Sequence, residues 1–172
     1  RVRDYALLVA GEMGLRDPAF LASMAQGALL HDVGKIGIPA RILLKPGPLG
    51  DEERNAMRRH PEMGASLVGE IAWLRAAREL ILAHHERYDG RGYPDGLKGR
   101  EIPIGSRILA VVDAFLAMVS DRPHRPAMSQ DEALAELVSH AGTQFDPEVV
   151  EIFVGMMEKK YPSAGLGKRS RI

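Results

Sequence analysis

Four of the six histidines in this chain fall at His31, His60, His84 and His85, with Asp32 beside the first and Asp113 set in a later apolar run. Imidazoles and carboxylates recurring on helical segments supply what a cluster of first-row metal ions needs, since each ion takes several N and O donors at once. The pattern predicts a metal-dependent hydrolase. Adjacent donors, His31 with Asp32 or His84 with His85, point about 100° apart on a helix, so each pair suits neighbouring ions or two sides of one. A carboxylate between the ions can bridge them. Two ions roughly 3.5 to 4 Å apart clamp the attacking and leaving oxygens of a phosphoryl displacement and acidify a bridging water. Phosphodiester hydrolysis is the natural use of such a set. His124 and His140 have no acidic or histidine neighbour at ligand spacing and read as ordinary core or surface histidines.

A second signal is the stretch Asp89-Gly-Arg-Gly-Tyr-Pro-Asp-Gly, dense enough in glycine and proline to fix turns and let backbone approach a ligand. Tyr93 is its one aromatic, placed beside the histidine pair where it can stack on a base or donate to a phosphate. Arg122, His124 and Arg125 cluster beyond Asp113. Near a metal pair they would clamp phosphate, because guanidinium matches phosphate oxygens bidentately.

The elements that must position these residues read as helices. Val2, Tyr5, Ala6, Val9 and Met13 recur at helical spacing, and Asp17-Pro18 is an N-cap and first-turn pair for a helix through Leu29 and Leu30. Gly34 breaks it, and the Pro- and Gly-rich stretch from Lys35 to Gly50 reads as loop. Asp51 to Arg59 resumes as a charged helix, and Pro61 with Gly64 predicts an irregular junction. Leu74, Ala77, Leu80, Ile81 and His84 share one side of a helix predicted over Trp73 to Tyr88, followed by a long loop from Asp89 to Pro103. Pro103 opens an apolar helix carrying Ile104, Ile108, Leu109, Val111, Val112 and Phe115. Ser129 with Glu132 forms a capping box, and Asp146-Pro147 starts a last helix ending near Lys160. No segment shows the period of a strand.

Composition sets the outer bounds. With 172 residues, 45% of them hydrophobic, one globular domain is expected. There is no cysteine, which excludes disulfides and thiolate metal sites and suits a cytoplasmic setting, so any metal must be held by His, Asp or Glu. Lys plus Arg equals Asp plus Glu at 23 each, so no global field argues for DNA or an anionic membrane. No apolar run reaches the roughly 20 residues of a membrane span. The chain begins without Met on an amphipathic pattern, which reads as a domain cut from a longer protein.

His31-Asp32-Val33-Gly34-Lys35-Ile36-Gly37-Ile38-Pro39, Leu44-Lys45-Pro46-Gly47, His60-Pro61-Glu62-Met63-Gly64, His84-His85-Glu86-Arg87-Tyr88-Asp89-Gly90-Arg91-Gly92-Tyr93-Pro94 and Gly142-Thr143-Gln144-Phe145-Asp146-Pro147 together resemble the HD-GYP domain, from Arg1 to about Phe153. That family, a branch of the HD phosphohydrolases, consists of bacterial domains that hydrolyse cyclic di-GMP to pGpG and GMP. The resemblance implies an all-α bundle of about six to eight helices with a long GYP loop, spanning residues 1–160 ahead of a flexible basic tail, 161–172. It implies two or three divalent ions, iron or manganese, held by His31, Asp32, His60, His84, His85 and Asp113, with Asp32 bridging. Catalysis would then run by in-line attack of a hydroxide shared between the ions, with Lys35 on a phosphate oxygen. Tyr93, Arg122 and Arg125 would hold the dinucleotide. The implied partners are GGDEF-domain proteins and an upstream sensor or receiver domain.

Three departures stand against the family pattern. Members carry a His just upstream of the position of Arg1. Leu116 stands where a carboxylate is usual, and His124 where a Tyr is usual. The alternative reading is a degenerate module that binds cyclic di-GMP or docks a GGDEF partner without turnover.

Overall fold

Residues 1–121 and 126–160 are described by a computed structural model. The helical spacing near the start forms α1 (Val2–Glu12), which buries Ala6, Val9 and Ala10. α2 (Pro18–Leu30) begins where expected: the Asp17 carboxylate accepts the Phe20 amide at 2.8 Å, and Pro18 occupies the first turn, where its missing N–H costs nothing. α7 (Ile104–Met118) is the central helix, its apolar residues buried on most sides. α8 (Gln130–Ser139) starts at the predicted capping box, Glu132 N–H donating to Ser129 Oγ at 3.2 Å and Ser129 N–H to the Glu132 carboxylate at 2.9 Å. α9 (Pro147–Lys160) closes the bundle. The main core lies where α1, α7 and α9 meet, with the rings of Phe115 and Phe153 5.0 Å apart and Tyr5 edged against both. Leu116 is buried in this core.

Three stretches differ from the sequence reading. The predicted loop from Lys35 to Gly50 holds most of a 3-10 turn, Val33–Gly37, and the single-turn α3 (Ala40–Leu43), opened by the Pro39 carbonyl accepting from Ile42 N–H at 2.8 Å. After α4 (Asp51–Met57), the expected irregular junction is instead the start of α5 (His60–Gly69): Pro61 falls in its first turn, where proline is tolerated. The helix predicted over Trp73 to Tyr88 is a 3-10 turn, Ala72–Ala77, then a short α6 (Arg78–Leu82), then a tight turn through His84 and His85. A continuous helix would point those two imidazoles about 100° apart; leaving the helix lets both face one centre. The long loop after Asp89 stands as expected, with one 3-10 turn at Gly99–Glu101.

The described residues thus form an all-α architecture of nine α-helices and three 3-10 turns, with one isolated backbone bridge, Ala141 to Phe145, and no strand. No helix among them is long and apolar enough to cross a membrane. Arg122, His124, Arg125 and the predicted tail, 161–172, lie outside the described residues.

Candidate metal centre

All the donors but Asp113 sit where a helix stops or starts. His31 caps α2, Asp32 precedes the 3-10 turn, His60 opens α5, His84 and His85 follow α6, and Asp113 projects from α7. Gly34 makes the approach possible: a Cβ there would collide with the His60 carbonyl and crowd the Gly64 amide at 2.5 Å, so only glycine lets the Asp32 turn pack on the first turn of α5. Three histidines share one local device. His31 Nδ1 lies 3.0 Å from the Ala28 carbonyl, His60 Nδ1 2.7 Å from that of Met57 and His84 Nδ1 2.6 Å from that of Ile81. A carbonyl only accepts, so each Nδ1 carries hydrogen and each Nε2 turns inward as a lone-pair donor.

Those inward atoms converge. One donor atom each from Asp32, His60, His84 and His85 all lie within 4.8 Å of one another. His60 Nε2 is 3.3 Å from His84 Nε2 and 3.4 Å from Asp32 Oδ1. The other Asp32 oxygen turns toward His31 Nε2 at 3.6 Å, and His31 Nε2 is also 3.6 Å from Asp113 Oδ1. Asp32 therefore stands between a four-donor group and a three-donor group. Donors about 2.1 Å from an ion stand roughly 3.0 to 3.4 Å apart, which is the spacing seen around His60. A proton on one ring can serve one of these close pairs, whereas a divalent ion serves all four atoms at once. The residues fit a metal.

The charges agree with that reading. Burial drives the His84 imidazole down to about 3 and that of His85 to about 4, with neighbouring histidines adding to both, so both rings stay neutral ligands at ordinary pH. Burial pushes the Asp32 carboxyl up, but His60 and Lys35 hold it well below the usual carboxylate range. Burial also opposes ionisation of Asp113, which His31 beside it outweighs, and burial lowers His31 less than its two aspartates raise it. Lys35 Nζ donates to Asp32 Oδ2 at 2.6 Å.

Tyr93 lies flat on His85, with ring centroids 4.9 Å apart and planes tilted by 25°. Its loop is anchored from below. The Glu86 carboxylate, 4% exposed, accepts the Asp95 and Gly96 amides at 2.7 and 3.0 Å, and its other oxygen has no partner. A Cβ at Gly92 would run into the backbone of Glu86 and Arg87, so glycine is required for the loop to lie this close. Arg87 bonds Asp89 at 2.8 Å and Gln144 at 3.2 Å, joining the loop to the turn before α9. A cavity of about 200 Å³ opens between His84, His85, Asp113 and Gln144.

All six expected donors, together with Lys35 and Tyr93, are thus gathered in one place, while His140 instead caps α8 with its Nδ1 3.1 Å from the Glu136 carbonyl. The sequence reading gave no role to Glu86, Arg87, Gln144 or Arg58, whose guanidinium carbon stands 5.4 Å from the Tyr93 ring centre. A carboxylate directly after a histidine pair and ahead of a glycine-rich loop is the signal that could have found Glu86. Arg58 left none, being 35 residues from Tyr93 by their numbers.

A helical scaffold with histidine and aspartate donors converging on one place is the architecture of an HD domain. The chain belongs to the HD domain family, whose profile matches residues 1–149. It is 44% identical over 152 residues to a protein of Vibrio cholerae described as a cyclic di-GMP phosphodiesterase, covering 84% of this chain and 31% of that protein. A Thermotoga maritima protein of the same description is 47% identical over 148 residues, covering 85% of this chain and 40% of that one. Among solved structures, Bd1817 from Bdellovibrio bacteriovorus, described as an HDG"Y"P protein, superposes with a TM-score of 0.73 at 21% identity, over 91% of this chain and 50% of that one. The chain spans 30 to 40% of the length of the curated relatives it matches.

Proposed function

We propose that this domain hydrolyses a cyclic dinucleotide, cyclic di-GMP first, to pGpG or GMP. The observation that carries the reading is the convergence of six donor side chains on a site centred at Asp32, with the Nε2 atoms of His60 and His84 facing one another at 3.3 Å. His60, His84, His85 and Asp32 would hold one ion and His31, Asp113 and Asp32 a second, with iron or manganese suited to mixed imidazole and carboxylate donors. Such ions supply Lewis acidity to the phosphoryl group and lower the pKa of water. Lys35 keeps donor hydrogens free beyond its bond to Asp32 and offers them to a phosphate oxygen as charge builds there. Burial pushes the Tyr93 hydroxyl up to about 12, so it remains a hydrogen donor, and its ring presents a stacking face beside the centre. Arg122 and Arg125 belong to the same proposal as dinucleotide contacts. So do a cytoplasmic setting, a GGDEF-domain partner and an upstream sensor or receiver domain; the greater length of the relatives supports the last of these.

The test is incubation of the manganese- or iron-loaded protein with cyclic di-GMP and chromatography of the products. Appearance of pGpG or GMP is expected. Tight binding without product would replace the enzyme reading by that of a receptor.

A further inference from the structure

Resting on the cyclic dinucleotide reading, we propose that Arg58 binds the phosphate of the substrate that is not being cleaved. A cyclic dinucleotide carries two phosphodiesters, each with one negative charge, and the metal donors with Lys35 account for one of them. The second needs cations of its own, and Arg58 would join Arg122 and Arg125 among them. Arg58 is the residue that caps α4, two positions ahead of His60, and its guanidinium carbon lies 5.4 Å from the centre of the Tyr93 ring. Tyr93 in turn stacks on His85 at 4.9 Å. A chain of contacts, Arg58 over Tyr93 and Tyr93 on His85, therefore links an exposed cation to the donor cluster.

Two neighbouring cations are already matched, Lys45 by Glu53 and Arg54 by Asp51. Among the described residues Arg58 makes no ion pair, and it is exposed. Its contact with the ring uses none of its N–H donors. Those donors lie in the guanidinium plane, spread in the fork that fits two phosphate oxygens. The ring attracts the cation to the rim without consuming a donor, so less side-chain freedom is lost on binding than for an unattached arginine. A cation tied to a carboxylate would first have to give up that partner; this one does not.

The test compares two substrates in the metal-loaded protein. Bis(p-nitrophenyl) phosphate carries only the phosphodiester to be cleaved, whereas cyclic di-GMP carries a second. Arg58→Ala should raise KM for cyclic di-GMP by at least about tenfold, leave kcat close to wild type, leave KM for bis(p-nitrophenyl) phosphate unchanged and leave metal content intact. Arg58→Lys, which keeps the charge and can still sit over the ring but loses the fork, should fall between the two. An unchanged KM for cyclic di-GMP in Arg58→Ala overturns the assignment, as does an equal rise for both substrates, which would mark a general disturbance of the rim. A wild-type protein that turns over bis(p-nitrophenyl) phosphate but not cyclic di-GMP overturns instead the substrate reading beneath it.

Discussion

The core where α1, α7 and α9 meet and the donor cluster at the helix ends share a helix and almost nothing else. α7 sends Val112 and Phe115 into the first and Asp113 into the second. The core is complete in itself: its side chains are apolar, interlocked and free of unpaired polar atoms. The cluster gathers four imidazoles and two carboxylates whose lone pairs face inward, an arrangement that protein atoms alone do not satisfy. Stability and reactivity are therefore kept in separate regions, and each can be damaged alone.

The sharpest way to break that separation is through Asp32, whose two oxygens face both donor groups. Asp32→Ala should reduce turnover to background and remove bound metal, as should His84→Ala, while the helical content survives. Metal analysis with a circular dichroism melt checks this, and undiminished turnover in Asp32→Ala would sink the metal-centred reading. The converse change is Phe115→Ala, which should cost about 3 to 5 kcal/mol of stability while metal per folded molecule stays the same. Loss of metal from the folded fraction would show that core and cluster are coupled.

Acid should separate the regions more gently. In metal-free protein, His84 and His85 take up protons only near 3 and 4 when folded, but near about 6.5 when unfolded. Below that value the unfolded chain binds more protons, so their contribution is full above about pH 6.5 and is lost as pH falls toward 4. The raised value of His31 offsets part of this. Melting in chelator at stepped pH should show a falling Tm, with a shallower slope in His84→Asn; a Tm that is flat or rises would contradict the neutral-imidazole picture. Tyr93→Ala should give the smallest effect, a KM for cyclic di-GMP raised roughly tenfold through lost stacking, with metal stoichiometry and Tm close to wild type.

The same division governs what could be read in the sequence. Helices such as α2, α8 and α9 were legible because Asp17, Ser129 and Pro147 act within one turn of their own position. The six donors were legible by residue type and spacing. What escaped was tertiary. The helix predicted through His84 ends at Leu82 because the cluster needs both imidazoles, and periodicity carries no record of that demand. Pro61 reads as a breaker in a linear scan and becomes a helix starter only once α5 is known to begin at His60. The anchoring of the Tyr93 loop by Glu86, and the contact of Arg58 with the Tyr93 ring, join segments that no local rule connects.

The bonds from His31, His60 and His84 to the carbonyls of Ala28, Met57 and Ile81 have an evolutionary consequence. The partner that aims each imidazole is main chain, which every amino acid possesses. Substitution at those three positions can change bulk and packing without removing the group that orients the ring. Sequence drift is thereby uncoupled from ligand direction, and a lineage can reshape its scaffold around a centre whose aim is inherited from backbone torsion.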